Sequence, residues 1–332
     1  MATEFDNISN KAIFAVKAEA SYGSDPTIAL ADNALLVRRE YNLQLPRELE
    51  VPEYAKESAS ALEGIPGVGY ATLEMSHYLC GAGATADDAD ATRDTPLLNA
   101  CHWVVEDATD DRTIKPRTAP NASCWIELYE KSTSTASAGN LIQIAGCRGS
   151  SELLLEAGKP GMWTTRLEGL YTVPAEGSGW GSGTYDQETP PAWSGTTISI
   201  NSKTYTVSRF LVRNEVALDR RLDGGSTYGV AEITSERGPI TGEFDCYATH
   251  EHSGDREDWG TFNAGVGVSW SITGFGSGGG NRFGLSGSDM LFGAPQRSYK
   301  GGRLVHTIPF TLLESAPGAE DEITITLYGA AA

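Results

Sequence analysis

His250, Glu251, His252 and Asp255 form the stretch of this sequence that looks most like a metal site. Histidines two residues apart on a strand share a face, and an aspartate shortly after them can supply a third ligand. A cluster of this kind at a strand end also arises by chance, and no metal ligand is assigned. Gly274-Phe275-Gly276-Ser277-Gly278-Gly279 fits GxGxxG. That motif binds phosphate only where a strand leads in and a helix N-terminus follows. Here the next segment, NRFGLSG, reads as a strand, so a hairpin loop is expected. There is no GxSxG elbow, no GxxxxGK[ST] and no HExxH. Carboxylates are abundant, yet no pair stands out for glycoside hydrolysis. Of the tryptophans, 103, 125, 163, 259 and 270 fall within strand or helix patterns and read as core anchors; Trp180 and Trp193 lie in a Gly/Ser/Pro stretch and are placed for exposure. No catalytic or cofactor-binding residue is assigned, and the sequence does not read as an enzyme.

The elements that would carry such residues are mostly strands. The 332 residues are 40% hydrophobic and 21% charged, enough apolar material for a sizeable core. The 38 glycines and the scattered Thr, Ser and Val favour short strands and tight turns. A net charge of −19 argues against gripping nucleic acid, which needs Lys and Arg to displace counterions. An acidic wall would instead let a phosphate backbone slide past. The five cysteines include no CxxC pair and read as reduced core thiols of an intracellularly made protein. The N-terminal residues do not read as a signal peptide, and no apolar run reaches the length of a membrane span.

Along the chain, residues 1–12 read as a mobile arm. Ile13 to Ala20 and Ala34 to Leu45 read as strands joined by a turn at Tyr22-Gly23-Ser24-Asp25-Pro26. Residues 46–63 carry two prolines and mixed charge and read as a long exposed loop. From Val68 to Leu79 the pattern alternates, with Ala71, Leu73, Met75 and His77 on one face. Residues 81–91 read as a solvated loop. Thr95-Pro96 opens the one good helix, with Leu97, Leu98, Cys101, Val104 and Val105 as its stripe. CWIELYE, LIQIAG, SELLLEA and MWTTRLEGLYT follow as strands. Residues 174–195 read as a linker, and more strands run to the C-terminus.

The second half echoes the first. Leu36 to Leu43 aligns with Leu211 to Leu218; Pro66, Gly69 and His77 align with Pro239, Gly242 and His250. Asn140, Ile142, Ile144 and Gly146 meet Asn281, Phe283, Leu285 and Gly287. Gly161, Trp163 and Leu167 meet Gly302, Leu304 and Ile308. The second copy is shorter around the helix, where Asp255 to Phe262 keeps a turn or two.

Several segments resemble the major tail tube proteins of long-tailed bacteriophages: KAEASYGSDPT with NALLVRREYNL, IPGVGYATLEM leading into TPLLNACHW, and IAGCRGSSELLLEAGKPGMWTTRLEGLY. GNRFGLSG, RLVHTIPFTLLES and DEITITLYG continue the likeness, which covers nearly the whole chain. It implies a mainly β fold: a β-sandwich of two packed antiparallel sheets with a flanking helix, whose inner sheets join on assembly into a ring-wide β-barrel. It implies a structural subunit of stacked rings around an acidic-lined channel for genome ejection. Residues 46–63 stand where such proteins contact the next ring. The partners implied are other copies of the chain, the initiator or tip complex, the terminator, the tape measure in the lumen and, in contractile tails, a sheath. Viral DNA would pass without specific binding, and no membrane is involved. The location implied is the virion tail, after assembly in the host cytoplasm. The departure is the doubling. It predicts an arm (1–12), a first tube domain (13–173), a linker (174–195), a second tube domain (196–329) and a tail (330–332). Three such chains would match a ring of six single domains. A β-sandwich adhesin or carbohydrate-binding virion protein is the alternative, and a β-rich hydrolase a more distant one.

Overall fold

Short runs of β-branched and aromatic residues between glycine turns pack best on a pleated surface, and nearly every such run here is a strand. A computed structural model describes residues 7–50, 65–81, 93–107, 111–118, 122–132, 138–178, 189–248, 258–276 and 281–328. The first half comprises β1 (Asn7–Ala18), the single-turn α1 (Leu30–Asn33), β2 (Ala34–Leu35), β3 (Asn42–Gln44), β4 (Arg47–Glu50), β5 (Ile65–Tyr78) and α2 (Thr95–Ala100). It continues with β6 (Trp103–Asp107), β7 (Asp111–Pro116), β8 (Cys124–Ser132), β9 (Ala138–Glu156), β10 (Met162–Leu170) and β11 (Ala175–Ser178). The second half holds β12 (Ile198–Ile200), β13 (Lys203–Tyr205), β14 (Val207–Leu222), β15 (Val230–Tyr247) and α3 (Asp258–Ala264). After them come β16 (Val268–Gly276), β17 (Arg282–Phe292), β18 (Gln296–Lys300), β19 (Arg303–Leu313) and β20 (Thr324–Tyr328).

One antiparallel layer runs through both halves in the order β3, β5, β10, β9, β14, β15, β19, β18. It is curled into a half-barrel. Twist supplies the curvature, and register shifts such as the one between Asn214 and Val216 on β14 sharpen it. A second layer packs against one face of it. In the first half its order is β2, β1, β8, the start of β9, β11; in the second it is β13, β12, β16, β17, β20, and then the first half's own β7 and β6. The facing surfaces of the two layers enclose one apolar cluster, from Phe14, Met75 and Trp163 to Phe210, Phe244 and Phe310.

The two halves pair their strands alike. β9 carries β8 on one side and β10 and β11 on the other; β17 carries β16 on one side and β19 and β20 on the other. Leu167 faces Leu73 as Ile308 faces Phe244. The sequence offset that sets Gly69 on Gly242 would set Leu73 on Cys246, two residues on, so side chains keep their face while the register moves.

Several expectations change. The arm is shorter, because β1 begins at Asn7 and pairs with β8. Ala34 to Leu45 is not one strand; it breaks between β2, which joins the second layer, and β3, which joins the first. The helix ends at Ala100, and Val104 and Val105 belong to β6, whose partner β7 docks on β20 from the other end of the chain. LIQIAG and SELLLEA are one strand, β9, which passes from one layer to the other near Gly146, where φ is +61°. A side chain at that position would run into the Tyr22 ring. The expected linker is anchored: β11 pairs with β9, and Trp193 is buried, its backbone N–H donating to the Lys159 carbonyl at 2.8 Å. The start of the expected long loop is β4, paired with β5; 51–63, like nearly all of 81–91 and all of 330–332, lies outside the described residues.

Candidate functional site

The chemistry-bearing motifs do not converge. His250 to Asp255 lies outside the described residues, and no group of three His, Cys, Asp or Glu among the described residues could hold a metal ion. The glycine-rich motif begins on β16; 277–280 lie outside the described residues, and the next described element is β17, an antiparallel strand whose Arg282 pairs with Gly276, rather than a helix. Trp103, Trp125, Trp163 and Trp270 are buried, as expected of core anchors, and so is Trp193, which had been placed for exposure. Trp180 is outside the described residues. No disulfide joins the five cysteines, and four of them are buried. Burial pushes the Cys101 and Cys147 thiols well up, which removes them as nucleophiles near neutrality.

What the fold does present is a broad polar surface, the face of the first layer that turns away from the core. Strand alternation puts Thr72, Glu74 and Ser76 of β5 there while Ala71, Leu73 and Met75 face inward. Arg and Glu alternate across it. Arg166 meets Glu74 at 3.5 Å, Arg213 meets Glu152 at 3.2 Å, Arg209 meets Glu243 at 2.6 Å, and Arg220 meets Glu168 at 2.9 Å. These four carboxylates are each matched by a guanidinium, an arrangement that avoids like charges on adjacent strands.

The other notable region is the junction of the halves. Arg209 to Asn214 of β14 lie antiparallel to Glu156 to Ser151 of β9. Phe210 and Val212 face the core beside Leu155 and Leu153, all buried. The Asn214 amide donates to the Cys101 carbonyl at 2.8 Å, and His102 Nε2 lies 2.9 Å from Ser235 Oγ. Burial lowers the His102 pKa, so the ring is held neutral there. Arg148 donates to the Ile233 carbonyl at 2.6 Å, and the Ile233 N–H donates to the Tyr22 hydroxyl at 2.7 Å. Burial pushes the Tyr22 phenol up to about 12. Farther out, the turn between β14 and β15 reaches back over the first half: the Gly69 N–H donates to the Tyr228 carbonyl, and Tyr171 meets Tyr228 edge-on.

No protein-family model matches the sequence, and no curated protein matches it. The fold and its surfaces therefore carry the functional reading.

The two edges of the first layer differ from its middle. Among the described residues, β3 pairs with β5 alone and β18 with β19 alone. Every residue of β18 is exposed, Tyr299 to 83%, and Leu49 at the other end is 68% exposed. Each half also fixes its helix by a buried His–Asp pair. His77 of β5 meets Asp94, the cap of α2, at 3.3 Å, and His306 of β19 meets Asp258, the first residue of α3, at 2.8 Å. Sequence alignment offered His250 as the counterpart of His77, but His306 fills that role from the neighbouring strand. Sequence reasoning missed the β9·β14 junction and the pairing of β7 with β20. The apolar phase of Phe210 and Val212 was the available signal for the first; none pointed to the second.

Proposed function

We propose that this chain is the structural subunit of a phage tail tube, closing with other copies into stacked rings around a channel. The observation that carries the reading is the curled first layer. It is built from two four-strand units, β3·β5·β10·β9 and β14·β15·β19·β18, and ends in two edges with no partner among the described residues. A sheet with bare edges is a template for further pairing, and ring closure removes both edges at once. The polar face would form the channel wall. There Arg166, Arg209, Arg213 and Arg220 are each held by a carboxylate. Cations engaged in this way displace few counterions from passing DNA, which suits transit without binding. No catalytic step is assigned.

The count of chains follows from the units. Two per chain and six per ring, as in the resembled family, give three chains. The half-barrel curl of the lone chain would, taken literally, close with two. We favour three, because an open sheet coils freely under its own twist and flattens when closure fixes the strand tilt. Trp193 is buried with Trp103, Trp125, Trp163 and Trp270, so none of these five offers the exposed aromatic platform that an adhesin would use. Negative-stain microscopy of concentrated protein tests the proposal. Hollow rings or tubes are expected; particles that stay single at every concentration contradict it.

A further inference from the structure

The junction between the halves offers a template for the junction between chains. β14 enters the first layer beside the last strand of the preceding unit, β9, and each strand has a counterpart at an open edge. β3 holds the place of β14, since Asn42 faces Glu74 on β5 as Arg209 faces Asp245 on β15. β18 holds the place of the end of β9, since Tyr299 faces Leu304 on β19 as Leu153 faces Trp163 on β10. Inside the chain the two strands lie together and their core-facing side chains are buried. At the edges the same positions are bare.

We infer that a second copy of this chain completes each edge, with β3 and the residues after it pairing antiparallel to β18 of its neighbour in the register of β14 on β9. This inference rests on the tube reading and specifies its lateral seam. Val212 opposite Leu153 becomes Leu45 opposite Tyr299; Leu211 opposite Leu154 becomes Gln44 opposite Lys300. Leu43 and Leu45 already pack against the margin of the core, half-buried. Tyr299 then covers that margin from the neighbour, which accounts for an aromatic ring left 83% exposed. The contact is head-to-tail, so it repeats around the ring and leaves no end. The arm formed by β4 and the start of β5, with Leu49 and Ile65 exposed, holds the place of the β14–β15 turn, which within the chain reaches back over the preceding unit.

Two sets of variants test this seam. In a Cys80→Ser background, chains carrying Gln44→Cys are assembled with chains carrying Lys300→Cys and oxidised. Residues directly opposite on antiparallel strands have Cα atoms about 4.5–5.5 Å apart, within disulfide reach. A covalent dimer is expected from the mixture and none from either variant alone. The double variant is expected to give a covalent closed ring. Rings that form without this cross-link, and without one between Gln44→Cys and Ser298→Cys, overturn the seam while the tube reading stands. Cross-linking by Lys300→Cys alone would mean a two-fold contact and also overturns it. Unaltered protein that never assembles overturns both. Separately, Tyr299→Glu is expected to leave the thermal midpoint of the monomer unchanged and to raise the concentration needed for assembly about tenfold or more. Unchanged assembly of that variant contradicts the inference.

Discussion

The middle of the curled layer and its two edges are built from corresponding strands, yet they sit in opposite environments. At β9·β14 the chain supplies its own partner, and Phe210, Val212, Leu153 and Leu155 are buried. At β3 and β18 the corresponding positions are half-buried or bare. One seam is therefore part of the folding unit, while in the proposed assembly the other is left for association. In such a ring, joining two units in one chain would make half of the contacts permanent and require fewer encounters for closure. It also lets the two seams be perturbed separately.

The largest expected difference comes from truncating the apolar anchors. Phe210→Ala removes a ring stacked near Phe244, Trp270 and Phe310, and should cost about 3–5 kcal/mol in denaturant unfolding of the monomer. Leu43→Ala, at the half-buried edge, should cost about 1 kcal/mol and act mainly on assembly. Equal losses in the two would erase the distinction between a finished and an open seam.

A smaller contrast lies in two glycines that align in sequence. A Cβ at Gly242 would strike the Leu211 carbonyl and the Phe310 ring, whereas at Gly69 its nearest neighbours stand at 3.6 Å. Gly242→Ala should therefore lose about 1–3 kcal/mol. Gly69→Ala should stay within about 0.5 kcal/mol. A tolerant Gly242 would show that β14 and β15 approach less closely than described.

Acid should loosen the internal seam. Burial lowers the pKa of His102, which sits between the Arg117 carbonyl and Ser235. The unfolded chain takes up the proton near about 6.5 and the folded chain only at lower pH. Between those values unfolding binds a proton, so stability is lost as pH falls from 7 toward 5. Thermal melts of the native protein should drop more over this range than those of His102→Asn; parallel curves would remove His102 from the account. Smallest of all, Arg166→Ala breaks an exposed pair with Glu74 and should change stability by only about 0–1 kcal/mol.

Local pattern revealed much of this fold. Alternation on β5 placed Ala71, Leu73, Met75 and His77 inward, and all are buried. Thr95-Pro96 does open α2, with Pro in its first turn, although the cap is Asp94. The misreadings occur where distant partners decide. Val104 and Val105 extend an apolar stripe, but β7 draws them into a ladder that ends on β20. Leu36 to Leu43 matches Leu211 to Leu218 in residue type, yet the strand that corresponds to β14 by pairing begins at Asn42. Glycine and proline between 174 and 195 suggested a free tether, while β11 and Trp193 pin both ends. The candidate interface was legible only as strand pattern, because an edge is defined by what fails to pair with it.

The claim that one chain carries two sheet units and closes head-to-tail is tested most directly by counting chains in the smallest closed ring. Native mass spectrometry of assembled protein should find three. Two would show that the curl of the lone chain already sets the ring, and six whole chains would show that the paired halves are not two wall units.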